Sequence, residues 1–191
     1  MKLKHIVTAI AAITTLGAST AFAAVDTYKI DPNHTYPSFE ADHGISVWRG
    51  KFKKSEGSVT LDRAAKTGSI DITIDTSSVD FGHDGMNAHA KKADILDAVQ
   101  FPTATFKAKS IKFTGDVPTS ADGEFTLRGV TKPLTLTINK FKCVENAQLK
   151  REVCGADASA QFNRGDFGVT FGLPAFSPEV KLAIQVEAVK Q

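Results

Sequence analysis

Beyond its first 23 residues the chain has four histidines, His34, His43, His83 and His89. None of them forms an i, i+4 pair or a close His-x-His spacing, so no metal site is expected from them. Hydrogen bonding at a corner or rim is the chemistry left to such isolated imidazoles. Asp42-His43 and His83-Asp84 place a carboxylate beside an imidazole. Neighbours on a strand point to opposite faces, which argues against a direct acid-base pair at Asp42-His43; solvated or structural carboxylates are the plainer reading of both. The chain has no Gly-x-Ser-x-Gly elbow, no phosphate-cradling glycine loop and no dinucleotide fingerprint. No catalytic residue is therefore assigned.

Cys143 and Cys154, with ten residues between them, read as a bridged pair. That reading depends on the compartment. Met1 to His5 is basic, Ile6 to Ala18 is almost wholly apolar or small, and Ala21-Phe22-Ala23 fits a small-x-small cleavage site. Residues 1–23 thus read as a signal peptide, and about 15 apolar residues fall short of the roughly 20 that a membrane anchor needs. Export to an oxidising compartment favours a disulfide clamp. Redox or metal chemistry is the lesser alternative, because a redox motif would set only two residues between the cysteines.

Removing the leader also changes the charge. Taking Lys2 and Lys4 from 23 basic residues leaves 21, equal to the 21 acidic ones, so the formal +2 vanishes and nucleic acid is not an expected partner. The remaining 168 residues, Ala24 to Gln191, make one domain with no linker or repeat. Thirteen phenylalanines against two tyrosines supply apolar rings without a polar handle, and only Phe22 lies in the leader.

The elements that position these residues are mostly strands. Ser69 to Asp75 alternates three isoleucines with polar residues; Leu134 to Asn139 and Val180 to Glu187 do the same. Shorter candidates are Asp26–Ile30, Ser38–Asp42, Val47–Lys53, Gly57–Leu61, Thr103–Lys107, Ser110–Phe113, Glu124–Leu127 and Ala158–Phe162, with turns predicted at Lys66-Thr67-Gly68, Thr114-Gly115-Asp116 and Ala121-Asp122-Gly123. From about His83 to Val99 the alanine- and lysine-rich composition predicts one or two short helices. About ten antiparallel strands must close or double over to hide their edges, so a barrel and a sandwich both remain open, and an eight-stranded barrel is either filled by side chains or holds one small ligand. Strand parity turns Phe39 with Ala41, Trp48 with Phe52, and Ile70, Ile72 and Ile74 to common faces; Phe106, Phe125, Leu134, Leu136, Ile138, Phe162, Leu182 and Ile184 are further inward candidates.

Tyr28-Lys29-Ile30-Asp31, His34, Phe39, His43-Gly44-Ile45-Ser46 and Gly50-Lys51-Phe52 open a pattern continued by Ser77-Ser78-Val79, His89, Asp94 to Asp97, Phe101 to Phe106, Gly129 to Pro133 and Asn163 to Gly168. Together they resemble the YceI-like family over Tyr28 to Val189. The resemblance implies an all-β, lipocalin-like antiparallel barrel with a short helical insertion, exported to the periplasm, whose interior binds a long isoprenoid or lipid-like chain such as a quinone tail. It implies a binding protein that needs no cofactor beyond that load. It makes Phe39, Ala41, Trp48, Phe52, Ile70, Ile72, Ile74, Phe106, Phe125, Leu136, Phe162 and Ile184 the expected lining, with His43 and His89 at the headgroup. A homodimer and a membrane redox partner that supplies or receives a quinone are the partners it brings. Ala90 and Ile95 depart from the family's usual residues, which leaves the helix's ligand contacts open. The competing readings are a small-molecule enzyme or redox accessory with reactive groups at the barrel mouth, and a solid-core module that works through its outer surface.

Overall fold

Alternating side chains along the chain resolve into eleven strands and one helix in the computed structural model, which describes residues 25–191. The expected signal peptide lies outside the described residues. In order, the elements are β1 (Asp26–Ile30), β2 (Tyr36–Asp42), β3 (Val47–Phe52), β4 (Ser55–Asp62), β5 (Thr67–Asp75), β6 (Val79–Asp80), α1 (Asp84–Ala90), β7 (Thr103–Thr114), β8 (Val117–Leu127), β9 (Val130–Asn146), β10 (Arg151–Asn163) and β11 (Glu179–Lys190). All pairings are antiparallel. Neighbours run β1-β4-β5-β7-β8-β9-β10-β11, and β11 returns to β1, which closes an eight-stranded barrel.

The barrel has two halves because three of its staves are broken. The C-terminal part of β11, Ala188 to Lys190, pairs with β1, whereas Val180 to Gln185 pairs with β2. In the same way β3 and β4 flank Lys53-Lys54, and β5 and β6 flank a single 3-10 turn at Thr76–Ser78. Hydrogen bonds stitch these breaks: Lys53 N and Lys54 N donate to Ser78 O and Oγ, and Thr76 Oγ1 donates to Phe101 O at 2.7 Å. Tyr28, Ile30, Leu61, Ala108, Ile111, Ala121, Cys154 and Ala188 fill the β1–β4 half with side chains.

Two expectations about strands are corrected. Thr103–Lys107 and Ser110–Phe113 belong to one strand, β7, with a bulge between Lys107 and Ser110. Ala121-Asp122-Gly123 is no turn but the middle of β8, where Ala121 is wholly buried. Gly123 is there for space: a Cβ would stand 2.6 Å from both the Phe106 ring and Lys107 O. The helical stretch is shorter than predicted. His83 caps α1 by accepting from Met86 N, and after Ala90 the chain turns irregularly to Phe101. Arg128 Nη1 donates to Ala93 O and Ile95 O and so holds that irregular stretch against the barrel.

Candidate ligand-binding site

The second half of the barrel is hollow. A cavity of about 420 Å³ lies between β2, β3 and the facing strands, within the roughly 300–1,000 Å³ typical of small-molecule sites. Strand parity delivers most of its wall: Phe39 and Ala41 from β2, Trp48 and Phe52 from β3, Ile74 from β5, Phe106 from β7, Phe125 from β8, Leu134 and Leu136 from β9, Phe162 from β10, and Leu182 and Ile184 from β11. Ile70 and Ile72 do not line it, nor does Ile138. They share the inward face, but they lie toward the filled half and pack against its core, as where Ile70 sits opposite Val59 and Ala108. Parity fixes the face of a strand and not the height along it.

A roof without strand periodicity supplies much of the rest. Phe171 and Phe176 come from the loop between β10 and β11, Phe81 and Met86 from the approach to α1 and from α1 itself, and Ala90, Ile95 and Leu96 from its end. The two positions that depart from the family pattern thus do face the cavity. Eight of the thirteen phenylalanines line it, and their rings touch in chains: Phe39 lies 5.6 Å from Phe52 and 5.4 Å from Phe81, with Phe81 5.9 Å from Trp48. The excess of phenylalanine was the signal for this roof, but no spacing rule placed Phe81, Phe171 or Phe176.

Besides the Trp48 indole, four lining residues carry polar side-chain groups: Asp42, His43, His89 and Arg164. The His43 ring stacks on Trp48 at 3.7 Å and leans on Phe176. His89 meets the Phe171 ring edge-on at 5.0 Å and shares a 2.9 Å hydrogen bond with Asp94, which pulls the Asp94 carboxyl below its ordinary range. Asp42 accepts from Ser177 N at 2.7 Å and Gly44 N at 3.1 Å, so its carboxyl is also held low, chiefly by the Ser177 bond. It therefore ties the β2–β3 hairpin to the roof. His34 stands elsewhere, bonded to Asp31 at 2.7 Å, and His83 serves as the helix cap. Arg164, buried behind the roof loop, was not among the expected site residues, although it lies inside the Asn163 to Gly168 motif.

Cys143 and Cys154 form a disulfide between directly opposed positions of β9 and β10, with a Cα separation of 4.0 Å. Glu152 lies close to both sulfurs, but its carboxylate accepts from Tyr28 Oη at 2.5 Å and from Arg63 Nη2 at 2.7 Å. With the sulfurs joined and the carboxylate so engaged, this group is a structural plug of the filled half.

Comparison with known proteins places this architecture. A model of the YceI-like domain matches residues 28–188. Protein YceI of Salmonella arizonae is 35% identical over 177 residues, covering 91% of this chain and 92% of its own length. Among solved structures, Burkholderia cenocepacia BcnA superposes with a TM-score of 0.71 at 24% identity, covering 83% of this chain and 99% of that one. A polyisoprenoid binding domain from Saccharophagus degradans superposes with a TM-score of 0.61 at 13% identity, covering 86% and 98%. The two structures share the fold, while the domain match and the Salmonella relative extend the likeness to sequence across nearly the whole barrel. By that span the chain belongs to the YceI-like family.

Proposed function

We propose that the protein binds a long isoprenoid or related lipid-like chain, such as the tail of an isoprenoid quinone, in the hollow half of the barrel and carries it through the periplasm. One observation carries this reading: the large cavity is walled almost throughout by aliphatic and aromatic side chains. A hydrocarbon tail offers no charge and few hydrogen-bonding groups, so only apolar area removed from water can hold it, at about 0.8 kcal/mol per buried methylene before ordering costs. The Saccharophagus domain of the same fold, described as polyisoprenoid binding, supports the same class of ligand. The basic-apolar leader and the disulfide support export to an oxidising compartment. His43 lies flat on Trp48 and His89 is engaged by Asp94, an arrangement suited to shaping a mouth rather than to turnover.

The direct test is solvent extraction and mass spectrometry of protein purified from its own host, followed by uptake measurements on the emptied protein. An extracted isoprenoid, together with affinity that rises across alcohols of two, three and four isoprene units, is the expected result. Empty protein that takes up no isoprenoid and no isoprenoid quinone would sink the proposal.

A further inference from the structure

Beyond Thr137, β9 pairs with β10 alone, so its last stretch, Ile138 to Asn146, has a strand on one side only. The turn that joins it to β10 is closed by Lys150 N donating to Asn146 O at 2.7 Å. Four exposed cations sit on this hairpin: Lys140 and Lys142 on β9, and Lys150 and Arg151 at the turn. None of them is in an ion pair among the described residues. The acids between Lys140 and Val153 are Glu145 and Glu152, and Glu152 is spent on Tyr28 and Arg63. The hairpin is therefore basic within a chain whose charges balance over residues 24–191. Lys150 and Arg151 also border a cleft of about 400 Å³ that Arg63, Lys190 and the two glutamates share.

The same surface is apolar where a barrel's outer wall is ordinarily polar. Tyr28, Cys154 and Ala188 are buried, so alternation turns Lys29, Val153 and Val189 outward. Val144 stands opposite Val153, Val153 opposite Val189, and Val189 opposite Lys29, which lays three valines in a row across β9, β10 and β11 with a lysine at its end. Val144 is 48% exposed, and Leu149 at the turn 51%. Lysines on an open strand edge also block edge-to-edge pairing, which would account for Lys140 and Lys142. It does not account for the cations of the turn, and exposed aliphatic side chains work against that protection.

We propose that the β9–β10 hairpin docks the protein on an anionic lipid leaflet, with the cations among headgroup phosphates and Leu149 and Val144 in the interfacial layer. Cations spread over a wall and a turn, with aliphatic side chains between them, suit the mobile charges of a leaflet, which also attracts each added Lys or Arg. β9 runs from the hollow half to the filled half, so a barrel held in this way keeps its roof loop clear of the leaflet. The inference goes beyond the lipid-chain reading and does not depend on it.

Co-sedimentation with vesicles tests it. Protein purified from its own host is mixed with vesicles of phosphatidylcholine alone, or of phosphatidylcholine and phosphatidylglycerol in equal parts. Binding to the anionic vesicles is expected to be tighter by roughly tenfold or more, and added salt should release the protein. Lys140→Glu/Lys142→Glu and Lys150→Glu/Arg151→Glu should each remove most of that preference, and Leu149→Asp should weaken binding at every salt concentration. Lys91→Glu/Lys92→Glu makes the same charge change on two lysines after α1 that are also in no ion pair, and should leave vesicle binding unchanged. Farnesol uptake, followed through Trp48 in the cavity wall, should survive in the hairpin variants, which separates this inference from the lipid-chain reading. Equal binding to the two kinds of vesicle, binding to neither, or an equal loss in the Lys91/Lys92 pair overturns the inference. Retention on immobilised poly-glutamate without vesicle binding overturns it too, and points the same cations at an acidic protein. Should a hairpin variant not fold, the unaltered protein's preference between the two vesicles decides.

Discussion

Tyr28 is 1% exposed and stands where β1 seals the filled half. Its hydroxyl donates to Glu152 at 2.5 Å, and Arg63 Nη2 holds the same carboxylate by two bonds of 2.7 and 3.0 Å. Burial of the phenol, followed by the Glu152 hydrogen bond, pushes the Tyr28 pKa well above its ordinary value, so it remains a neutral donor at any working pH. Burial acts to raise the Glu152 pKa too, but bonds from Tyr28 and Arg63 outweigh it and keep the group ionised. A neutral donor to a carboxylate in a half-dry site contributes more than an exposed ion pair does. Tyr28→Phe keeps the ring packing and removes that donor, and should cost about 1.5–3 kcal/mol. Chemical denaturation with an unchanged slope checks it; a midpoint equal to that of the unaltered protein would show the hydroxyl to be idle. Ligand uptake should survive, because Tyr28 does not border the cavity.

At the scale of elements, β9 shows how a single irregularity sets what faces inward. Leu134, Leu136 and Ile138 alternate inward; the register then shifts opposite Asp157/Ala158, and Phe141 and Cys143 take over one residue out of phase. That shift puts Cys143 directly across from Cys154. Replacing both cysteines by alanine should cost about 2–3 kcal/mol through the freed loop of the unfolded chain, read as a lowered denaturation midpoint with cavity binding intact. Alternation at Ser69–Asp75 and Leu134–Asn139 was legible in the sequence because each side chain there obeys a period of two. The middle of β8 was not, since Gly123 serves a close approach to Phe106 that only the assembled sheet reveals. The roof escaped for a related reason: Phe171, Phe176 and Arg164 lie in turns, where position follows from hydrogen bonds such as Ser177 N to Asp42 and no periodicity marks a face.

Over the whole molecule, a barrel of eight strands is just wide enough either to fill or to leave room for a ligand, and this one is filled in one half and hollow in the other. The filled half supplies the stability that the hollow half forgoes. Identical substitutions should therefore have opposite signatures in the two halves. Ala108 is 3% exposed among Ile70, Ile111 and their neighbours, so Ala108→Phe must displace packed atoms and should cost about 1–3 kcal/mol or more. Ala41 borders the cavity, and a ring there enters open space: Ala41→Phe should change stability by less than about 1 kcal/mol while weakening uptake of a lipid chain. Ligand binds only the folded state, so excess ligand should raise the melting temperature of the unaltered protein and of Ala108→Phe, but raise that of Ala41→Phe much less. Thermal melts with and without a farnesyl compound separate the two effects in one experiment. Equal destabilisation by both variants would mean that the hollow half is as tightly packed as the other, and the division of labour between them would fall with it.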